Sequence, residues 1–151
     1  MKSVLFDTSV LVAASVAAHP HHARARVWVE AARKGRLKMV IASHGLAETW
    51  ATLTAMPLEP RLTGEQARRI VDGLRGLATI ATAGGDVTMA ASARCAELGL
   101  RSGAVYDALH VAVAPKADVL LTFNVRDFER LVQPDGPRVV VPPDPPRVSL
   151  G

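Results

Sequence analysis

Apolar and polar positions along this chain fall into blocks that switch between strand-sized runs and helix-sized periodicities. Val4-Leu5-Phe6 is a short apolar run that stops at Asp7, and it predicts a buried strand over Ser3–Phe6. Val10, Leu11 and Ala14 share one face of a helix predicted over Thr8–Val16. His19-Pro20-His21-His22 interrupts it. Pro20 suits the first turn of a second helix running to Lys34, with Ala23, Val27 and Ala31 apolar and Gly35 as terminator. Leu37–Ala42 is rich in β-branched and long aliphatic side chains and predicts a second buried strand. Ser43 is placed to cap a helix from His44 to Met56 that Pro57 ends, with Leu46, Trp50 and Leu53 as its apolar stripe. Glu48 points away from that stripe, which suits either a solvated helical glutamate or a second carboxylate one turn into the helix.

The pattern continues in the second half. Thr63-Gly64-Glu65-Gln66 has the spacing of a capping box, opening an amphipathic helix through Ile70, Val71 and Leu74 to Arg75. Leu77–Ala81 predicts a strand closed by Gly84-Gly85, and Asp86 is a plausible N-cap for a helix from Val87 to Leu98 that Gly99 ends. The helix predicted over Ala104–Ala114 is apolar almost all round and is therefore expected to be buried. Asp107 sits inside it. An unpaired buried carboxylate is costly, so Asp107 needs a partner, either His110 three residues on or a bound metal. Asp118–Phe123 predicts a further strand, followed by Asn124 and a short helix from Val125 to Arg130 in which Asp127 is a first-turn acid favoured by the helix dipole. Arg138–Val141 reads as an edge strand.

Strands that alternate with helices predict the α/β class: a single domain over residues 1–141, with a parallel central sheet covered by helices on both faces as an α/β/α sandwich. Residues 142–151 read as a Pro-rich C-terminal tail, expected to be stiff and extended. The 151 residues, 49% of them hydrophobic, suffice for one core. Lys and Arg number 18 against 14 Asp and Glu, a net charge of +4 that permits a polyanionic partner without requiring one. Arg61, Arg68, Arg69 and Arg75 form a basic edge that suits a solvated face or RNA phosphate contact. The single cysteine, Cys95, excludes an internal disulfide framework and a thiolate zinc cage. No apolar run is long enough to span a bilayer, and no signal-peptide layout precedes the first strand, so a cytoplasmic protein is expected. His19, His21 and His22 invite a metal reading, but no further ligands stand at a recognisable spacing, and a solvated helix start accounts for them.

In a parallel sheet the carboxyl ends of the strands lie along one rim, where ligands gather. Asp7, Glu48 and Asn124 each follow such an end, and Asp107 reaches the same rim from the buried helix. Carboxylates brought together repel unless a divalent cation sits among them, and oxygen-only ligands favour Mg²⁺ or Mn²⁺ over zinc. That chemistry suits metal-assisted phosphodiester hydrolysis. There is no Walker A lysine loop and no G-x-S-x-G, and Ser9 stands where a haloacid-dehalogenase-type phosphatase needs its second aspartate.

Three segments, Val4-Leu5-Phe6-Asp7-Thr8-Ser9-Val10-Leu11, Tyr106-Asp107-Ala108-Leu109-His110 and Leu120-Leu121-Thr122-Phe123-Asn124-Val125-Arg126-Asp127-Phe128, resemble in this order the PIN-domain endoribonucleases, specifically the VapC-like toxins of type II toxin–antitoxin modules. The resemblance covers nearly the whole chain. It implies an acidic Mg²⁺ or Mn²⁺ pocket that cuts RNA, with Asp7 and Asp107 as principal metal ligands and Glu48 as the third acid. The fourth position falls at Asn124 or Asp127; Asn124 can ligate through its carbonyl or orient a water but cannot act as a base. Thr8, Ser9 and Thr122 would be hydroxyls that orient the carboxylates. The resemblance also implies a homodimer held inactive, in a hetero-oligomer, by a cognate antitoxin whose tail covers the acidic site. The alternative is a PIN-like module that has lost catalysis and acts by RNA or protein binding, on the ground that Asn124 stands where many relatives have an acid.

Overall fold

The computed structural model describes residues 1–114 and 117–143. Five strands, β1 (Ser3–Phe6), β2 (Lys38–Ala42), β3 (Ala78–Ala81), β4 (Val119–Leu121) and β5 (Arg138–Val140), form one sheet in the order β3-β2-β1-β4-β5. All four pairings are parallel. Among the described residues seven helices accompany them: α1 (Thr8–Ser15), α2 (His22–Arg33), α3 (Ser43–Ala55), α4 (Gly64–Leu77), α5 (Gly85–Glu97), α6 (Ala104–Val113) and α7 (Val125–Glu129). The α/β architecture is therefore as the apolar pattern predicts. Among the described residues no helix is long and apolar enough to cross a membrane. The Pro-rich tail from residue 144 onward lies outside the described residues.

The two-residue period of each strand sorts the core into two faces. Val4, Phe6, Met39, Ile41, Val119 and Leu121 point to one face and pack on Val10 and Leu11 of α1 and Val29 of α2. Leu5, Val40, Ala42 and Leu120 point to the other and pack on Val113 of α6 and on Phe128 of α7. Both sides are apolar, as sheets buried on two faces require. Burying each of the large aliphatic side chains fully contributes about 1.5–3 kcal/mol, so strands of three to five residues suffice here.

Helix ends follow local chemistry where the side chain or glycine is decisive. Gly35 and Gly99 adopt φ of +68° and +67°. Behind them Arg36 N–H donates to Ala31 O and Leu100 N–H to Cys95 O, both at 2.9 Å, closing α2 and α5 with the left-handed terminator expected. The Thr63/Gln66 capping box forms with both reciprocal bonds. Two expected caps do not form. Ser43 is the first residue of α3, whose N-cap position is Ala42, and Asp86 lies in the first turn of α5 behind Gly84. In each case the chain enters the helix one or two residues earlier than the capping side chain would place it.

Helix α3 also departs from its expected stripe. It buries Gly45, Thr49 and Leu53, while Trp50 is 43% exposed and donates its indole N–H to Gly64 O at 3.0 Å. A buried threonine is tolerated because its hydroxyl donates to Gly45 O at 2.6 Å within the same helix. The arginines of α4 are engaged with its own acids, Arg68 and Arg69 with Glu65 and Arg75 with Asp72, so that basic edge is largely a self-paired, solvated face.

Candidate active site

Phe6 pairs with Leu121 in the β1·β4 ladder, and Asp7 N–H donates to Leu121 O at 3.1 Å, carrying the ladder one residue further. That register sets Asp7 beside Thr122 at the rim. Asp7 is the N-cap of α1, its Oδ1 accepting from Val10 N–H at 3.1 Å and from Ser9 Oγ at 2.6 Å. Oδ2 accepts from Thr122 Oγ1 at 2.6 Å. The two hydroxyls are themselves fixed. Ser9 Oγ accepts from Phe123 N–H at 3.1 Å, and Thr122 Oγ1 from Asn124 N–H at 2.9 Å. Asp7 is 3% exposed. Burial raises its pKa above the ordinary aspartate value, and the bonds from Ser9 and Thr122, the charge of His110 and the Val10 N–H only partly oppose this.

Glu48 comes from α3, where His44 precedes it by one turn. Its Oε1 lies 3.4 Å from His44 Nε2, 3.3 Å from His110 Nε2 and 3.4 Å from Thr8 Oγ1. Burial raises the glutamate pKa, but His110, His44 and Thr8 outweigh it and leave the carboxyl below its usual range. His110 is 2% exposed, and among the described residues no hydrogen-bond partner faces its Nδ1. The alternative of a local Asp107–His110 pair is thus not what forms; His110 turns to Glu48, and its charge reaches Asp107 only through space. Asp107 is half-buried and has no hydrogen-bond partner among the described residues. Its pKa is pushed up to about 6, first by burial and then, against the favourable charge of His110, by Asp127, Asp7 and Glu48.

Asp7, Glu48, Asp107 and Asn124 all line one open cavity of about 520 Å³, with Thr8, Ser9, His19, His21, His110 and Phe123. Asn124 is the exposed N-cap position of α7 and makes no side-chain cap bond. Asp127 does not line the cavity; it is exposed and faces Arg130 at 3.5 Å, though its charge is felt by Asp107.

Among the described residues, two donor sets at this cavity could hold a cation. The first is the all-oxygen set on Asp7 and Asp107. Asp107 offers two oxygens without a donor, and its raised pKa reports an arrangement short of positive charge. The second is His44 Nε2, Glu48 Oε1 and His110 Nε2, mutually within 4.8 Å. In that set His44 Nε2 stands 3.0 Å from Tyr106 O, an acceptor, so this nitrogen carries a proton and its lone pair is not free for a metal. The cluster is better described as two imidazoles clamping Glu48. Sequence reasoning gave neither histidine this part. The i, i+4 spacing of His44 and Glu48 on one helix face is the signal that was there to be read.

A PIN domain family model matches residues 4–133, from β1 through α7 and across Asp7, Glu48, Asp107 and Asn124. The chain belongs to the PIN domain family. Several solved structures share this PIN fold. The sarcin–ricin-loop-cleaving toxin VapC20 of Mycobacterium tuberculosis superposes with a TM-score of 0.67 at 19% identity, over 89% of this chain and 99% of that one. The DNA-bound VapBC of Salmonella typhimurium gives 0.64 at 22% identity, over 93% and 98%. VapBC2 of Rickettsia felis, bound to a promoter DNA fragment, gives 0.64 at 21% identity, over 92% and 98%. At these identities the likeness is one of fold. No curated protein matches the chain.

Proposed function

We propose that this PIN domain is a divalent-metal-dependent endoribonuclease and the toxin of a type II toxin–antitoxin pair. The observation that carries the nuclease reading is the convergence of Asp7, Glu48 and Asp107, from three separate segments, on one open cavity. The names of the VapC and VapBC structures that share the fold support the toxin half and an antitoxin partner. Asp7 and Asp107 would hold Mg²⁺ or Mn²⁺, since their donor set is all oxygen and Asp107 has no hydrogen-bond partner among the described residues. When bound, such an ion supplies Lewis acidity toward water and toward a phosphate oxygen. Glu48, ionised and clamped by His44 and His110, is positioned to accept a proton from the attacking water. Ser9 and Thr122 hold the Asp7 carboxylate in one orientation, and Asn124 offers a carbonyl at the cavity mouth. Homodimerisation and a cytoplasmic setting belong to the same proposal.

The test is cleavage of single-stranded and structured RNA by the purified chain with Mg²⁺, with Mn²⁺ and with chelator, wild type beside Asp107→Asn. Metal-dependent cutting that disappears in the variant is expected. A folded, antitoxin-free wild type that cuts nothing under any condition would replace this reading with a binding module. The uncharged Asn124, at the position where the resemblance allows an acid, is the observation that favours that second reading.

A further inference from the structure

We propose that His19 and His21 form a donor wall of the cavity that holds a phosphate oxygen of the RNA beside the one being cut. The inference rests on the nuclease reading above. The tautomers follow from the partners. His21 N–H donates to His19 Nδ1 at 3.0 Å, so the lone pair of His19 Nδ1 is taken and the neutral ring carries its proton on Nε2. Arg24 Nη1 stands 3.3 Å from His21 Nδ1, and a guanidinium has no acceptor to offer, so His21 Nδ1 accepts as well and its proton is again on Nε2. Both rings line the cavity. With their Nδ1 atoms occupied by the chain itself, the N–H that each ring can offer to a ligand is the one on Nε2.

The wall is held in place. His21 stacks on Phe123 with centroids 4.6 Å apart and planes 19° apart, and the Arg24 guanidinium lies 5.2 Å from the same Phe123 ring. These contacts explain a motif that a metal does not. His22 donates from Nδ1 to Ala13 O at 2.9 Å and so keeps a lone pair on Nε2, whereas His19 and His21 carry their protons on Nε2, so the three rings do not present a joint set of lone pairs to a cation. What results is a cavity with carboxylates contributed by Asp7, Glu48 and Asp107 and two N–H donors contributed by His19 and His21, backed by a guanidinium. Many base edges present a donor alongside an acceptor, and this wall offers such a donor no acceptor. A phosphodiester is acceptor-only and anionic, and it fits.

The experiment measures fluorescence anisotropy of a labelled single-stranded RNA oligonucleotide titrated with the full chain, in Ca²⁺ in place of Mg²⁺ to suppress cutting. Two double variants are compared with wild type. H19F/H21F keeps flat rings, and with them the stack on Phe123, but removes both donors. H19Q/H21Q restores an N–H near each Nε2 position. The phenylalanine variant is expected to bind about tenfold more weakly, the combined effect of two net hydrogen bonds, and the glutamine variant to recover most of that loss. In Mg²⁺ or Mn²⁺ the defect should fall on KM, with kcat held within about threefold. Equal binding by all three proteins overturns the subsite, as do equal losses in both variants with unchanged melting temperatures, or a wild type that does not bind RNA. RNA binding that shows the expected order without any cleavage would leave the subsite standing and remove the nuclease reading instead.

Discussion

Asp7 and Asp107 line the same cavity, yet the fold surrounds them very differently. Asp7 stands at the junction of the central strand and the first helix and accepts three hydrogen bonds, one of which caps α1. Asp107 stands on α6 with none among the described residues, facing other acids. The first carboxylate is part of how the chain folds as well as what it offers to a ligand. The second contributes little to folding and is retained at an electrostatic cost. A residue that is unfavourable to the free protein and lines an open cavity with other acids is a good marker of function.

Removing Asp107 should therefore separate activity from stability most widely. Asp107→Asn is expected to lower RNA cleavage by at least about a hundredfold, beyond the loss typical of a group acting only behind a metal ligand, while the urea midpoint at neutral pH stays level or rises. A clear fall in that midpoint would break the contrast. Asp7→Ala should do the opposite in part. It removes a helix cap and leaves the Ser9 and Thr122 hydroxyls without their acceptor, for a loss of about 2 kcal/mol in urea denaturation, in addition to abolished cleavage.

The pH dependence sharpens the same point. The Asp107 pKa is raised from 3.8 to about 6, so the metal-free folded state keeps this proton at a pH where the unfolded chain has lost it. The associated stability is full below the unfolded value and is lost as pH rises through about 6. Melting temperatures in chelator should then fall more steeply between pH 4 and 6 for wild type than for Asp107→Asn, with Asp7 contributing in the same direction to both. Parallel profiles would show that Asp107 titrates normally. A smaller effect is expected at Gly45, where an added Cβ would meet His110 Cε1 at 3.1 Å. Alanine favours the helix by about 1 kcal/mol over glycine, but the buried imidazole must shift to admit it. Gly45→Ala should be nearly neutral in thermal stability and several-fold slower in RNA cleavage; a stabilised protein of full activity would show that the His110–Glu48 contact does not matter.

What could be read from the sequence divides along similar lines. Val4-Leu5-Phe6, Met39-Val40-Ile41 and Val119-Leu120-Leu121 are unbroken apolar runs, and each is a strand buried on both faces. Gly35, Gly99 and the Thr63–Gln66 box are legible because a backbone angle or a reciprocal pair of bonds depends on residues close in the chain. Ser43 and Asp86 mislead because the start of a helix also depends on where the preceding strand or turn releases the chain. Trp50 misleads because α3 packs through the small face of Gly45 and Thr49, and periodicity counts a large apolar residue above a small or polar one. The carboxylates of the cavity follow from motif and topology. The pairing of His110 with Glu48 instead of Asp107 depends on how α6 and α3 cross, which no local pattern records.

The Thr122 hydroxyl donates to the Asp7 carboxylate and accepts the amide proton of Asn124, so one oxygen links two loops. Electron density drawn toward or released from Asp7 is relayed through that oxygen to a backbone N–H. The Asn124 cross-peak in a ¹H–¹⁵N spectrum should accordingly act as a built-in gauge of the carboxylate, moving as Asp7 gains a proton or a cation even when no substrate is present. Thr122→Val would cut the relay and silence the gauge.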